Sequence, residues 1–295
     1  MSQAVAAAGR SNAWFPSSTT VKCTPLPAGS SCSLLLFYHY VEPMMTQGKV
    51  DHLKKFLVDT CTSLSLGGRL RVAKEGLNCT LSGPSSSLRT FADSLQSWGS
   101  SGPSSRPPFQ NCDNFKYVDS LPPDRHFSQL TVLPVQELVY YGVRSDLAPL
   151  SKGGTHLPAS EYHELMSEPN TVIIDVRNNY EADIGRFSSS DQSAEYVNPK
   201  MRKSTDFKGW LEKEETREKV KGKKVLMYCT GGVRCERASA LLNAEMGSEV
   251  EGVYQLKGGI EAYLKEFPEG GYWEGKNFVF DKREAFGVGC EGGVG

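Results

Sequence analysis

A cysteine and an arginine separated by four residues, Cys229 and Arg234, have the clearest chemical potential in the sequence. A predicted strand at residues 223–229 leads into the cysteine, and a predicted helix begins near Arg234. In α/β folds, sites form where strands end and helices begin, and a helix N-terminus carries partial positive charge. Together with the Arg234 guanidinium, this charge is expected to lower the pKa of the Cys229 thiol and make it nucleophilic at neutral pH. The alternative is a buried structural cysteine before an ordinary turn.

The residues between this cysteine and arginine set the size of the loop. They are Thr230, Gly231, Gly232 and Val233. The two glycines allow the backbone to curl tightly without a clash from a Cβ atom. A spacer longer by one residue would suit a tyrosine phosphatase, whose loop encloses a phosphate. The shorter spacer indicates sulfur chemistry, in which the cysteine carries a sulfane sulfur as a persulfide.

Three further residues are predicted to support this loop. Cys235 follows the arginine directly and either resolves an oxidised or persulfidated active cysteine or is the first buried residue of the helix. Asp175 and Arg177 end a predicted parallel strand at residues 171–176. They are expected to hold the loop through hydrogen bonds and an ion pair, without transferring protons. An ordinary salt bridge at a strand end is compatible with the same pattern.

The distribution of charge bears on whether the chain binds nucleic acid. The formal net charge is −1 and the isoelectric point is about 6.5, which excludes a uniformly basic chain but allows a local basic patch. The candidate RNA-binding residues are Lys74, Lys200, Arg202, Lys203 and Lys208, extended by Lys219, Lys221, Lys223 and Lys224. Tyr196, Phe207 and Trp210 lie near them in sequence and are candidates for stacking on bases. The alternative is an ordinary solvated helix face, because glutamates alternate with the lysines.

The pattern of predicted elements divides the chain into two domains. The first half gives the order β-α-β-β-α-β, which predicts a ferredoxin-like domain of two helices on an antiparallel sheet at residues 34–147. The second half alternates strands and helices, which predicts an α/β domain with a parallel sheet flanked by helices at residues 148–271. Residues 272–295 are expected to form a C-terminal extension. Two details of this prediction are a strand through residues 130–143 and a single helix at residues 205–220.

The N-terminal segment, residues 1–33, is predicted to be a disordered tail or a transit peptide. The first 41 residues contain no Asp or Glu and many Ser and Thr, which is typical of organellar targeting sequences. This favours a plastid or another organelle, with the cytoplasm as the alternative. No apolar run approaches the roughly 18 residues needed to span a bilayer, so no membrane partner is expected. Eight scattered cysteines without a CxxC pair predict neither a disulfide framework nor a metal site.

Several motifs of the second half resemble those of rhodaneses. Residues 229–234 are similar to a rhodanese active-site loop, and Asp175-Val-Arg177 resembles the Asp-X-Arg that ends the first parallel strand in that family. Further matches are Glu181, Gly185 and Lys257-Gly-Gly-Ile260. This chain has Arg186 where many rhodaneses have a histidine, which changes the expected rim of the pocket.

Three motifs spread over both halves resemble the tRNA uridine hydroxylase family. They are Arg71-Val-Ala-Lys-Glu-Gly-Leu-Asn78, Tyr228-Cys-Thr-Gly-Gly-Val-Arg-Cys-Glu236 and Gly275-Lys-Asn-Phe-Val-Phe-Asp281. The resemblance implies a small N-terminal domain before a rhodanese domain, and formation of a hydroxyl at carbon five of the wobble uridine of tRNA. It also implies molecular oxygen as co-substrate, with no other cofactor evident. Bacterial members continue into a cysteine-rich tail, whereas only Cys290 lies in that region here.

A second function remains open from the sequence. The chain is alternatively a sulfurtransferase that passes sulfane sulfur from a small donor through Cys229 to a thiol acceptor. The presence of this cysteine argues against a third interpretation, a non-catalytic rhodanese module.

Overall fold

The chain divides into two compact units, with the boundary in the sequence between Leu138 and Val139. The computed structural model describes residues 17–100, 106–188, 193–278 and 285–287. The boundary expected near residue 148 lies inside the second unit, because Ala148 is fully buried in the core of that unit. No helix of the described residues is long and apolar enough to cross a membrane.

The first unit is a six-stranded sheet packed against two helices. Its strands are β1 (Thr19–Lys22), β2 (Cys32–Tyr40), β3 (Gly67–Ala73), β4 (Gly76–Gly83), β5 (Lys116–Leu121) and β6 (Gln129–Pro134). Its helices are α1 (Gln47–Ser63) and α2 (Ser85–Gln96), with a 3₁₀ turn at Pro123–Arg125. The order of strands is β1-β6-β3-β4-β2-β5, and only the β3–β6 pair is parallel. The β-α-β-β-α-β prediction is confirmed.

The spacing of apolar residues explains why α1 packs where it does. Val50, Leu53, Leu57 and Cys61 recur every three or four residues, so they form one buried stripe against the sheet. At the start of the helix, the Thr46 hydroxyl accepts a hydrogen bond from the backbone N–H of a residue in the first turn.

The N-terminal segment contains a strand that the sequence did not predict. In β1, Thr19 pairs with Val132 and Lys22 pairs with Gln129, so the tail predicted at residues 1–33 is wrong for this part. The two threonines and Val21 are β-branched and suit an edge strand, and β1 covers what would otherwise be the open edge of β6. Residues 1–16 of the predicted tail or transit peptide lie outside the described residues.

The second unit is built on a five-stranded parallel sheet. Its strands are β7 (Thr155–Leu157), β8 (Thr171–Asp175), β9 (Gly185–Phe187), β10 (Glu195–Val197), β11 (Lys224–Tyr228), β12 (Gly252–Leu256), β13 (Trp273–Phe278) and β14 (Ala285–Gly287). Its helices are α3 (Ala159–Met166), α4 (Asn179–Ala182), α5 (Asp206–Leu211), α6 (Glu214–Val220), α7 (Val233–Met246) and α8 (Gly259–Glu266), with a 3₁₀ turn at Leu150–Lys152. The parallel sheet has the order β10-β8-β11-β12-β7. The α/β prediction for this half is confirmed.

Strand β11 shows how the sheet is buried on both faces. Val225 and Met227 pack into the cluster that holds α5 and α7 residues, whereas Leu226 and Tyr228 pack into the cluster of α3 and α8. A strand between two helical layers must be apolar at every position, which is why this segment reads as a continuous hydrophobic run.

Three predicted elements differ from the structure. The strand expected at residues 130–143 ends at Pro134, and beyond it the backbone N–H of Leu138 donates to the Glu75 carboxylate instead of to a neighbouring strand. The helix expected at residues 205–220 is split into α5 and α6. At the break, the Thr216 hydroxyl donates a 2.7 Å hydrogen bond to the carbonyl of Trp210. Part of the expected C-terminal extension belongs to the second unit, because β13 pairs antiparallel with β9.

Candidate active site

The site begins where β11 delivers Cys229 to the carboxyl edge of the parallel sheet. The Cys229 side chain is fully buried, and its Sγ accepts a 3.1 Å hydrogen bond from the backbone N–H of Gly232. Gly232 has φ = 100°, a left-handed conformation that favours glycine, and from there the chain turns into α7. The backbone N–H groups of Arg234 and Cys235 also lower the pKa of this thiol. The loop therefore forms a nest of amide donors around one sulfur atom.

These donors determine the ionisation of Cys229. Burial opposes ionisation, but the Cys235 thiol, the Arg234 charge and the loop N–H groups together lower the pKa of Cys229 to about 5. A thiolate at neutral pH is the form that acts as a nucleophile or is oxidised. The site can therefore carry sulfur-based nucleophilic or redox chemistry.

The guanidinium of Arg234 is fixed by a buried carboxylate. Its two terminal nitrogens donate to the Glu181 carboxylate at 2.6 and 2.9 Å, and one of them also donates to the Thr230 hydroxyl at 3.0 Å. Arg234 is 5% exposed and Glu181 is fully buried. Burial disfavours the Glu181 anion, but the hydrogen bonds and charge of Arg234 outweigh it, so the pKa of this carboxyl is lowered. Arg234 therefore acts on the thiolate through its charge from a fixed position.

Glu181 is itself held by the local sequence. It is the third residue of α4, and its carboxylate accepts a hydrogen bond from the backbone N–H of Asn178, whose side chain caps the same helix turn. This capping box orients the carboxylate before Arg234 meets it. The sequence identified Glu181 only through the rhodanese resemblance, and its pairing with Arg234 was missed.

Asp175 and Arg177 form the buried ion pair that was expected, but they act on the strand and not on the loop. Arg177 donates to Asp175 through Nε at 2.9 Å and a terminal nitrogen at 2.6 Å, and that nitrogen also donates to the carbonyl of Gly185 at 2.6 Å. The hydroxyl of Tyr228 donates to Asp175 at 2.7 Å. Because Tyr228 directly precedes Cys229, the pair fixes the point at which the loop begins.

The Lys257-Gly-Gly-Ile260 segment holds the other side of the loop. The backbone N–H of Ile260 donates to the carbonyl of Cys229 at 3.1 Å, and that of Glu261 donates to the carbonyl of Thr230 at 3.3 Å. A Cβ atom on Gly259 would lie 2.5 Å from the Thr230 carbonyl oxygen, and its φ is +67°. Only glycine lets α8 approach this closely. With its carbonyls bound by α8, the loop keeps its N–H groups directed at the sulfur.

The comparisons with known proteins agree with this architecture. A family model for the UPF0176 acylphosphatase-like domain matches residues 32–137, and the rhodanese-like domain matches residues 158–266. The tRNA uridine(34) hydroxylase of Synechococcus elongatus is 34% identical over 256 residues, which are 86% of this chain and 85% of that protein. This chain belongs to the tRNA uridine(34) hydroxylase family. The enzyme of the same name from Acholeplasma laidlawii is 35% identical over 260 residues, 86% of this chain and 72% of that protein.

A plant protein is also similar to this chain. Rhodanese-like domain-containing protein 6 of Arabidopsis thaliana is 36% identical over 282 residues, which are 89% of this chain. The chain spans only 45% of the length of that plant protein.

Within this family architecture, Cys235 lies beside the thiolate. It is fully buried, and its thiol is one of the groups that lower the pKa of Cys229. Burial and the Cys229 thiolate raise the pKa of Cys235 well above its ordinary value, so it remains a thiol. Gly232 links the two cysteines of the sequence motif, because its N–H donates to the Cys229 sulfur and its carbonyl accepts from the backbone N–H of Cys235.

Tyr141, which the sequence did not point to, supports the first turn of α7. The hydroxyl of Tyr141 donates a 3.1 Å hydrogen bond to the backbone carbonyl of Arg234, and its ring packs edge-on against Phe207. No local pattern connects Tyr141 to a loop 93 residues later, so the sequence carried no signal for this contact.

Three of the candidate cations lie at the same edge of the sheet as the thiolate. Lys200, Arg202 and Lys203 follow the carboxyl end of β10, which is parallel to β8, and β8 is parallel to the β11 strand that delivers Cys229. All three cations are exposed. The backbone N–H of Asn179 donates to the carbonyl of a residue in this cationic segment, which ties it to the start of α4.

The other candidate cations are placed less favourably. Lys208 forms an ion pair with Glu212, and Lys74 lies exposed in the turn between β3 and β4 of the first unit. The lysines Lys219, Lys221, Lys223 and Lys224 precede or begin β11, at the sheet edge opposite the thiolate. Three of these, Lys219, Lys223 and Lys224, are paired with Glu195 or Glu168. These four lysines therefore do not belong to a patch around the thiolate.

The aromatic residues proposed to stack on bases have other roles. Phe207 is fully buried and Trp210 is 9% exposed, and both belong to the core under α5. The Tyr196 hydroxyl donates to Asp175 at 3.3 Å. The prediction that Phe207 and Trp210 stack on bases is therefore wrong, because α5 turns its aromatic face toward the sheet.

Proposed function

We propose that this chain hydroxylates carbon five of uridine 34 in tRNA, with molecular oxygen as co-substrate and Cys229 as the reactive residue. The observation that carries the proposal is a buried thiolate in a chain of which 86% aligns with tRNA uridine(34) hydroxylases. A thiolate held among amide donors is both nucleophilic and oxidisable, so it can bond to a carbon atom or take up an oxygen atom.

The proposed substrate fits the charge at this edge of the sheet. Lys200, Arg202 and Lys203 are placed to contact phosphates, which fix the position of a nucleic acid without reading its sequence. The wobble base lies in a loop, so turning it out of its stack toward a recessed sulfur costs little. Lys208 is a weaker candidate for the same role, since it is paired with a glutamate. Lys74, exposed in the first unit, is a further candidate.

Complementation tests the proposal. The full chain, Cys229→Ala and Cys23→Ser are supplied to cells that lack the modification, and 5-hydroxyuridine in their tRNA is measured by mass spectrometry. The full chain and Cys23→Ser are expected to restore it, since Cys23 lies in the first unit and is only partly buried. Cys229→Ala is expected to restore none. If Cys229→Ala restored as much 5-hydroxyuridine as the full chain, Cys229 would not be the reactive residue.

A sulfurtransferase activity is the second candidate, favoured by the four-residue spacer between Cys229 and Arg234. The amide nest would also stabilise a persulfide on the cysteine. With thiosulfate as the small donor and cyanide as acceptor, this activity yields thiocyanate. Robust thiocyanate formation by a chain that restores no hydroxyuridine would favour this second function over the first.

A further inference from the structure

Cys229 and Cys235 form a pair of thiols with opposite ionisation. Both are fully buried in one core cluster, and the backbone N–H of Gly232, three residues before Cys235, donates to the Cys229 sulfur at 3.1 Å. They are the two cysteines in the described part of the second unit. Cys235 sits in the first turn of α7, where its backbone N–H donates to the Gly232 carbonyl at 3.1 Å.

The proposed hydroxylation requires two electrons from a donor, and a pair of thiols can supply them. Reduction of molecular oxygen to the level of water takes four electrons, and converting a carbon–hydrogen bond to a carbon–hydroxyl bond supplies two of them. Two more electrons are required for each uridine. Oxidation of two thiols to one disulfide releases two electrons.

We propose that Cys235 is the resolving thiol of the reaction and that its oxidation with Cys229 to a disulfide supplies these two electrons. This inference rests on the proposed hydroxylation. One oxygen atom of dioxygen becomes the uridine hydroxyl, and the other is taken by the Cys229 sulfur as a sulfenic acid. The Cys235 sulfur then attacks the Cys229 sulfur. The sulfur–sulfur bond forms, the sulfur–oxygen bond breaks, and the leaving hydroxide takes the Cys235 proton as water.

The overall step balances. Uridine, dioxygen, the Cys229 thiolate, the Cys235 thiol and one proton give 5-hydroxyuridine, the disulfide and one water. A dithiol reductant returns the pair to its starting state by thiol–disulfide exchange. From the sequence, Cys235 is either the resolving residue or a buried residue of the helix. The first role is supported by its place in the same core cluster as Cys229 and by the hydrogen bonds that join both residues to Gly232.

Two substitutions separate a redox role from a purely electrostatic one. Cys235→Ser keeps a hydroxyl that donates a hydrogen bond to the thiolate but cannot form a disulfide. Cys235→Ala removes both functions. The ionisation midpoint of Cys229 is therefore expected to stay low in the serine variant and to rise in the alanine variant. A low midpoint in the serine variant also shows that its loop is intact.

The experiment uses the full chain, reduced and then freed of small thiols, in two arms. In the first, one equivalent of hydrogen peroxide is added. In the second, an unmodified tRNA transcript is added in air. Peptide mass spectrometry is expected to find a Cys229–Cys235 disulfide in both arms, in a one-to-one ratio with hydroxyuridine in the second. Cys235→Ser is expected to give instead a dimedone-trapped sulfenic acid on Cys229, and no disulfide.

Each outcome of this experiment decides a separate point. Absence of the disulfide in the peroxide arm would overturn the resolving role whatever the substrate. Hydroxyuridine formed while both thiols stay reduced would overturn the inference and leave the hydroxylase function standing. If the peroxide arm gave the disulfide but the tRNA arm gave no hydroxyuridine, the hydroxylase function would be overturned. The role of the two thiols as its electron donor would then fall too.

Discussion

Arg234 and Glu181 lie 53 residues apart in sequence, yet their side chains share two hydrogen bonds of 2.6 and 2.9 Å inside the second unit. Neither group has appreciable access to water. A buried pair of this kind is only modestly stabilising as a whole, but removing one charge leaves the other uncompensated, which is costly. The active loop therefore depends on a carboxylate that lies outside it.

The first prediction is that Glu181→Gln lowers the free energy of unfolding by about 3 kcal/mol, because the Arg234 charge is left buried without its counter-ion. Urea denaturation measures the change. Glu212→Gln is the matched control, since Glu212 pairs with Lys208 on the exposed face of the same unit and its loss is expected to change stability little. Equal effects of the two substitutions would contradict the argument from burial.

The second prediction concerns the pH dependence of Cys229. Its pKa is about 5 in the folded protein, against about 8.5 for an unfolded cysteine. Because folding lowers this pKa, the stabilisation from the thiolate is fully present above the unfolded pKa and is lost as the pH falls through about 5. The free energy of unfolding is therefore expected to decline over that interval in the wild type and to decline less in Cys229→Ser.

Ultraviolet absorbance of the thiolate gives the midpoint directly. The difference between wild type and Cys229→Ser isolates one thiol, and burial raises the pKa of Cys61 and Cys79, so neither ionises in this range. Iodoacetamide labelling of Cys229 is expected to follow the same curve. A midpoint near that of a free cysteine would show that the amide nest does not stabilise the anion.

The sequence predicted the parts of the site whose residues are close together along the chain, and it did not predict contacts between distant segments. Cys229 and its loop were predicted because strand, glycines, arginine and helix follow one another within a short segment. The pairing of Glu181 with Arg234 and the contact of Tyr141 with the loop join distant segments, so no local spacing encodes them. The strand at Thr19–Lys22 was missed for the same reason, since its partner strand β6 lies far along the chain.

The third prediction tests Tyr141. Tyr141→Phe removes the hydrogen bond to the Arg234 carbonyl in a buried position, at a cost of about 1 kcal/mol in stability. The first turn of α7 carries the N–H groups that hold the thiolate, so the ionisation midpoint of Cys229 is also expected to rise. Tyr140→Phe is the control, because Tyr140 is 59% exposed and adjacent in sequence. A lower stability with an unchanged midpoint would limit Tyr141 to a packing role.

The fourth prediction separates tRNA binding from sulfur chemistry. Replacing Lys200, Arg202 and Lys203 by alanine is expected to raise the KM for tRNA roughly tenfold and to flatten its salt dependence, because fewer phosphate contacts release fewer counterions. The ionisation midpoint of Cys229 is expected to be unchanged. Lys219→Ala combined with Lys223→Ala removes two cations from the opposite edge and is expected to leave the KM near that of the wild type. If the second pair raised the KM more than the first set, the RNA would contact the opposite edge of the sheet.

The fifth prediction tests the contact between α8 and the loop. Gly259 has φ = +67°, and a Cβ atom there would lie 2.5 Å from the Thr230 carbonyl oxygen, so Gly259→Ala must push the loop and α8 apart. The loop carbonyls then lose their donors, the N–H groups turn away from the sulfur, and the pKa of Cys229 is expected to rise while hydroxyuridine formation falls at least tenfold.

Gly209→Ala provides the matched control for that substitution. Gly209 is an exposed residue of α5 with open space around its Cα, so alanine there meets no atom within 4 Å. A helical glycine replaced by alanine is expected to gain up to about 1 kcal/mol in stability. Both variants add one methyl group to the same unit, and only one of them touches the loop. If Gly259→Ala kept the wild-type midpoint and activity, the approach of α8 would not be what aims the loop N–H groups at Cys229.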